Sequence, residues 1–339
     1  MAGAPRREIV AAGEVGAYHC MARCVRRAYL CGKDKLTDKD FSHRKDWVRD
    51  SLERLAGAFA IDISGFAIMD NHLHVIVRQR PDLAKGWSPV DVTQRWRMIF
   101  GKPPRTKSER EAFQTLVDVE ARDSKLVKLR RQRLASVSWF MRCLCEPIAR
   151  RANKEDGCTG RFWEGRFRSQ ALLDDGALLA CSAYVDLNPV RSKLAATPEA
   201  SRNTSVFERI SERQKPSRRA DESRDGWLSP MANGPQPKKS DLRRVSSMPM
   251  IPLSLDEYLL LLDWTGRQIR AEKRGSISSG VAPILDRLKI QPEGWVEVVA
   301  NFGRWFKHAA GSPARLTSHA QALGRHWLKG VGPSRSAFL

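Results

Sequence analysis

Residues 61–69 and 72–78 are two β-like runs separated only by Asp70-Asn71. Both intervening residues tolerate the backbone of a tight reversal, so the two runs are expected to pair as an antiparallel hairpin. Upstream, Trp47, Val48, Leu52, Leu55 and Phe59 recur at three- and four-residue spacing, one apolar stripe of a helix over about residues 45–60. Before that, residues 15–26 hold apolar side chains without helical period and read as a strand. Strand, helix and hairpin in that order need a helix layer to cover one face of an antiparallel sheet. The fold class expected is therefore α+β.

Beyond the hairpin the pattern breaks. Residues 81–133, with Pro103-Pro104 and a charge-rich continuation, look like a partly helical insertion hanging from the core. A helix over about 135–153 carries Trp139, Phe140, Leu144 and Ile148, and Pro147 is expected to kink it or end its first half. A basic-aromatic stretch, Gly160-Arg161-Phe162-Trp163-Glu164-Gly165-Arg166-Phe167-Arg168, leads through a short strand to a helix starting near Asp174-Asp175. That helix should run to about Asn188, because Pro189 disfavours its continuation. Residues 212–250 have the Pro, Ser, Arg and Lys content of a flexible linker. Ser254 and Glu257 then have capping-box spacing ahead of an apolar stripe, and further helices are expected over about 293–309 and 314–329. Residues 251–339 are accordingly read as a helical C-terminal domain.

Charge narrows the class of partner. Lys and Arg number 59 against 38 Asp and Glu, a formal charge of +21 over 339 residues. An excess spread along the whole chain favours a polyanion, because each phosphate neutralised releases condensed counterions. An anionic membrane surface would attract the same charge, and nucleic acid is the preferred reading. No apolar run approaches the ~20 residues that span a bilayer. The first ten residues have charges without an apolar stretch behind them, so no secretory signal is read. Seven cysteines show neither a Cys-x-x-Cys pair nor zinc-ligand spacing, which suits idle thiols in a reducing cytoplasm.

Two places could carry chemistry. In Asn71-His72-Leu73-His74-Val75-Ile76-Val77, alternate side chains of a strand share a face. His72 and His74 would project together while Leu73, Val75 and Val77 enter the core. Two imidazoles so placed can hold one divalent cation with positions left open. Ordinary core or surface histidines would give the same pattern. In Tyr184-Val185-Asp186-Leu187-Asn188-Pro189, residues four apart on a helix are rotated by about 40°, so Tyr184 and Asn188 share a side. Asn188 could offer a carbonyl oxygen to a metal beside a Tyr184 nucleophile, or the helix could simply bury its tyrosine and end at Asn-Pro. Tyr18, Tyr29 and Tyr258 have no candidate ligand four residues on. His19, on the first strand, reads as structural. Arg161, Arg166 and Arg168 with Trp163 have the cation-and-ring composition of a single-strand nucleic-acid surface, and equally of solvated arginines beside core aromatics.

The Asn-His-Leu-His-Val-Ile-Val strand, the Gly-Arg-Phe-Trp-Glu-Gly-Arg-Phe stretch and the Tyr-Val-Asp-Leu-Asn-Pro-Val-Arg helix end occur in this order. Together they resemble the REP-associated tyrosine transposases, relatives of the small insertion-sequence transposases of the HUH class. The resemblance covers about residues 13–200. It implies a ferredoxin-like antiparallel sheet with covering helices, His72, His74 and Asn188 as metal ligands, Tyr184 as nucleophile, and Mg²⁺ or Mn²⁺ as cofactor. It implies single-stranded DNA beside a hairpin as substrate, cleaved and rejoined through a 5′-phosphotyrosine. A cytoplasmic, nucleoid-associated location is the matching expectation for place, and a homodimer is left open. The insertion at about 81–133 and residues 251–339 have no counterpart in the small transposases, so substrate choice and oligomeric state do not transfer. A DNA-binding regulator without catalysis, and a nuclease that nicks without transposing, remain open alternatives.

Overall fold

A computed structural model of the chain describes residues 9–11, 13–25, 30–34, 38–215, 226–232, 243–270, 281–287 and 290–338. The chain folds as α+β, with a five-stranded mixed sheet. In order the elements are β1 (Gly16–Arg23), α1 (Arg44–Ala56), β2 (Ile61–Ile68), β3 (His72–Gln79), α2 (Pro81–Gly86), α3 (Pro89–Phe100), α4 (Lys107–Ala121), α5 (Ser124–Leu134) and α6 (Val137–Glu155). They continue as β4 (Arg168–Leu172), α7 (Asp175–Asp186), α8 (Asn188–Arg191), α9 (Ser205–Gln214), α10 (Leu255–Arg270), α11 (Ala282–Arg287), α12 (Pro292–Trp305), β5 (Ala309–Ala310), α13 (Pro313–Ala322) and α14 (Val331–Ala337). The strand order is β2-β3-β1-β4-β5, antiparallel except for the β4–β5 pair.

The hairpin forms as read, with β2 and β3 paired antiparallel from Ile68↔Leu73 to Ile61↔Gln79 around one irregularity between Ile63 and Gly65. β1 enters between β3 and β4, so it is a central strand. Its apolar, non-helical composition follows from that place, since both of its faces are covered. Leu73, Val75 and Val77 on β3 and Cys20 and Ala22 on β1 lie in the core. On this side α1 packs against α6, and Ala22 lines a cavity together with Met141 and Cys145 of α6. The opposite side is covered by α7, with α12 packed against α7 and its Phe302 ring 6.4 Å from that of His19.

Three readings need correction. Pro147 does not divide its helix, because α6 runs unbroken from Val137 to Glu155. Its buried stripe of Phe140, Met141, Leu144, Ile148 and Ala152 offsets the backbone bond that the proline forgoes. The helix at Asp175 ends at Asp186, and Pro189 sits in the first turn of the separate α8, where a missing N–H costs nothing. Of the expected linker, residues 216–225 and 233–242 lie outside the described residues, but Trp227, Leu228 and Met231 are buried. Trp227 stacks on Phe66 at 5.3 Å, and its ring N–H donates to Glu208 at 3.0 Å.

The insertion at residues 81–133 is helical from α2 through α5. In the C-terminal part, Ser254 and Glu257 form the capping box expected of them. This part does not stand off from the sheet. β5 extends it beside β4, Ser312 N–H donates to Asp174 at 2.6 Å, and Tyr258 donates its hydroxyl to Asp186 at 2.6 Å. All seven cysteines are free thiols. Among the described residues no helix is long and apolar enough to cross a membrane.

Candidate functional site

Paired residues on neighbouring strands project to the same side of a sheet. His74 pairs with Met21, His72 with Arg23, and His19 with both Ile76 and Gln170. His19, Arg23, His72, His74 and Gln170 therefore share one face, the face that α7 covers. The imidazoles of His72 and His74 lie 4.9 Å apart between ring centroids. Period-two alternation thus does what was expected of it.

Helix α7 is capped by Asp174, whose carboxylate accepts the Ala177 N–H at 2.9 Å. It delivers Tyr184 to this face, with its ring centroid 5.6 Å from that of His74. One turn later Asn188, in α8, is buried with its amide nitrogen 3.0 Å from His74 Nε2. Asp186, between them, points away and serves as an anchor. It accepts from Ser205 Oγ at 2.6 Å, from the Val206 N–H at 3.0 Å and from the Tyr258 hydroxyl. Four residues singled out in two distant motifs, His72, His74, Tyr184 and Asn188, thus meet at one place.

Burial sets the protonation of the cluster. It lowers His72 and His19 from 6.5 to about 4 and holds His74 well below its ordinary value, with the Arg23 charge adding to the effect on His72 and His74. The three rings are neutral at pH 7, the state in which an imidazole nitrogen can ligate. Burial pushes the Tyr184 hydroxyl up, and Arg191 opposes it with its charge and a hydrogen bond. The Arg191 guanidinium carbon lies 4.9 Å from the tyrosine ring centroid.

Among the described residues no group of three or more His, Cys, Asp or Glu is arranged to hold a metal. The donor set here is of a different kind: two neutral imidazoles and a carboxamide. An asparagine amide can present nitrogen or oxygen to the same point by turning about its last torsion. With its oxygen so presented beside His74 Nε2, the set suits a divalent cation with coordination positions left over. The residues fit.

Several neighbours of this cluster escaped the sequence reading. His19 Nε2 lies 2.8 Å from His74 Nδ1, and His19 Nδ1 lies 3.2 Å from Gln170 Oε1. Arg23 is exposed on the strand position paired with His72. Phe302 of α12 packs its ring 5.6 Å from that of Tyr184, and Gly303 sits against the tyrosine hydroxyl. Strand parity could have raised His19 and Arg23, had the β1–β3 register been known. No local signal marks Phe302.

The basic-aromatic stretch is a loop. Arg161 and Arg166 are exposed and line a cavity of about 580 Å³ with Trp139, Arg142 and Trp163. Arg168 is exposed at the start of β4, on the histidine face. Trp163 is half-buried and donates its ring N–H to the Cys145 carbonyl at 2.8 Å. Of the other tyrosines, Tyr18 accepts from the Ala11 N–H, Tyr258 is committed to Asp186, and Tyr29 lies outside the described residues.

No family model matches the chain, and no curated protein matches it. Among solved structures, that of a REP-associated tyrosine transposase bound to a REP hairpin is similar at a TM-score of 0.31 and 11% identity. That match covers 59% of this chain and 82% of the other.

Proposed function

We propose that this chain is a metal-dependent transposase or endonuclease that cleaves and rejoins single-stranded, hairpin-associated DNA through a 5′-phosphotyrosine. The observation that carries the reading is that Asn188 meets His74 at 3.0 Å while the rings of His72 and Tyr184 lie 4.9 and 5.6 Å from that of His74. The element order β1-α1-β2-β3-α6-β4 with strand order β2-β3-β1-β4 supports the ferredoxin-like architecture that the motifs imply.

The chemistry follows from the residues. A bound Mg²⁺ or Mn²⁺ would draw electron density from a scissile phosphate and orient it. His72, His74 and Asn188 would hold that ion. The Tyr184 oxygen attacks phosphorus, the P–O bond to the 3′-oxygen breaks, and that oxygen leaves as a 3′-hydroxyl with a proton. An unperturbed tyrosine has a pKa near 10, so only about one in a thousand is ionised at pH 7. Arg191, adjacent to the hydroxyl, favours the phenolate against the burial that opposes it. Arg23 and Arg168 place further positive charge on the same face for phosphate oxygens. The new phosphotyrosine is a diester like the old linkage, so a DNA 3′-hydroxyl can reverse the step without ATP. Arg168, on the histidine face, is the proposed first contact for the flanking strand, and Arg161 and Arg166 with Trp163 would take it only after it passes to the α6 side of the sheet.

The test is incubation with single-stranded hairpin oligonucleotides and Mn²⁺ or Mg²⁺, followed by a denaturing gel. A covalent protein–DNA adduct is expected from the wild type and none from Tyr184→Phe, which removes one hydroxyl and should leave folding and DNA affinity intact. An undiminished adduct with Tyr184→Phe would remove the tyrosine from its role. DNA binding with no adduct under any metal would favour the non-catalytic regulator.

A further inference from the structure

We infer that His19 and Gln170 are positioning residues: they lock His74 in one tautomer, so that its Nε2 lone pair faces the cation site. The inference rests on the metal-site reading above, and its test separates the two.

Hydrogen counting along a buried chain of four side chains leads to it. At one end, the oxygen of Gln170 that meets His19 Nδ1 can only accept, so His19 Nδ1 carries the hydrogen. At the other end, the Asn188 amide nitrogen that meets His74 Nε2 can only donate, so His74 Nε2 is bare. A neutral imidazole with a bare Nε2 carries its hydrogen on Nδ1. That hydrogen is the one donated across the 2.8 Å contact to His19 Nε2, which the first step has already left bare. With Gln170 presenting its oxygen and Asn188 its nitrogen, each link has one hydrogen and one acceptor, and the Gln170 end alone already leaves His74 Nε2 bare. Both His19 and Gln170 are buried, so water cannot substitute for either partner. His72 is held the same way by a shorter route, its Nδ1 donating to Asn71 Oδ1 at 2.6 Å. Both candidate ligands thus present Nε2, and for His74 the orienting groups come from β1 and β4, the two strands beyond its own.

A metal-ligating histidine whose second nitrogen loses its acceptor typically costs 10–100-fold in metal affinity. The measurements are the His74 tautomer by ¹⁵N NMR of the metal-free protein and Mn²⁺ affinity by electron paramagnetic resonance titration. In the wild type His74 should be the Nδ1–H form and should bind Mn²⁺. Gln170→Glu keeps an acceptor for His19 and should retain both. Gln170→Leu frees His19 to present a hydrogen to His74; the tautomer should become mixed and Mn²⁺ affinity fall by about 10–100-fold. His19→Gln keeps an acceptor for His74 and should rescue much of what His19→Phe loses. An unchanged tautomer and unchanged Mn²⁺ affinity in both Gln170→Leu and His19→Phe would overturn the inference. So would an Nε2–H His74 in the wild type. Absence of Mn²⁺ binding by the wild type, with the Nδ1–H tautomer present, would instead overturn the metal-site reading and leave the proton chain standing.

Discussion

Gly303 offers a perturbation that separates the proposed nucleophile from the fold. A methyl group at this position would lie 2.8 Å from the Tyr184 hydroxyl oxygen and 3.3 Å from the adjoining ring carbon. The first contact is about 0.6 Å short of ordinary van der Waals separation, so Gly303→Ala must displace the phenol by about that amount. The atom displaced is the tip of a side chain, and Tyr184 is only half-buried, so the fold can give way there cheaply. Overpacking costs about 1 kcal/mol at the low end of its range, and the higher helix propensity of alanine inside α12 returns a similar amount, so stability should change little. Catalysis is less forgiving, because a misplacement of about 1 Å at a reacting centre can cost 10²-fold. By that scale a shift of about 0.6 Å should slow covalent adduct formation roughly tenfold, near 1.4 kcal/mol of activation free energy. The assay is single-turnover adduct formation on a hairpin oligonucleotide with saturating Mn²⁺, alongside thermal melting and DNA binding. Gly86→Ala is the control, since a methyl there meets nothing within 4 Å. Gly303→Ala with full adduct rate would refute the placement of Tyr184 at the reacting phosphate. A large loss of melting temperature with a proportionate loss of DNA binding would refute the argument that only the phenol moves.

Other outcomes follow from the same geometry. His19 and His72 are held near 4 in the folded chain against 6.5 in the unfolded one, so below pH 6.5 the unfolded state binds more protons. Stability should therefore be constant above pH 6.5 and fall as pH drops toward 4; thermal melts that show no loss between pH 7 and 5 would contradict this. Replacing Arg161, Arg166 and Arg168 together with Ala should lower the salt slope of single-strand binding by about 2, at about 0.7 per phosphate contact, which salt titrations of a fluorescent oligonucleotide would read. An unchanged slope would return those arginines to solvent. Tyr258→Phe leaves buried Asp186 one donor short and should cost about 1–3 kcal/mol in denaturant melts. A neutral outcome would mean that Asp186 does not anchor α7 through α10.

Much of the site was legible because its signals are local. The alternation around His72 and His74 is a two-residue period, and it placed both rings on one face without reference to any other strand. The four-residue offset of Tyr184 and Asn188 is the length of one helical turn, and both residues meet His74 even though α7 ends at Asp186 and Asn188 opens α8. Capping at Ser254 and the Asp70-Asn71 reversal are equally short-ranged. What the tertiary structure alone decided is every partner far along the chain. His19 meets His74 because β1 lies between β3 and β4, an order set by which apolar faces bury best together. Phe302 and Gly303 reach Tyr184 only because α12 packs on α7, more than a hundred residues away in sequence. The same packing drew Trp227 into the core from a stretch with linker composition, and carried α6 through Pro147. Composition and propensity act over a few residues and contribute tenths to a few kcal/mol each. Burying a large apolar face outweighs them, and which face is buried against which is a property of the assembled chain.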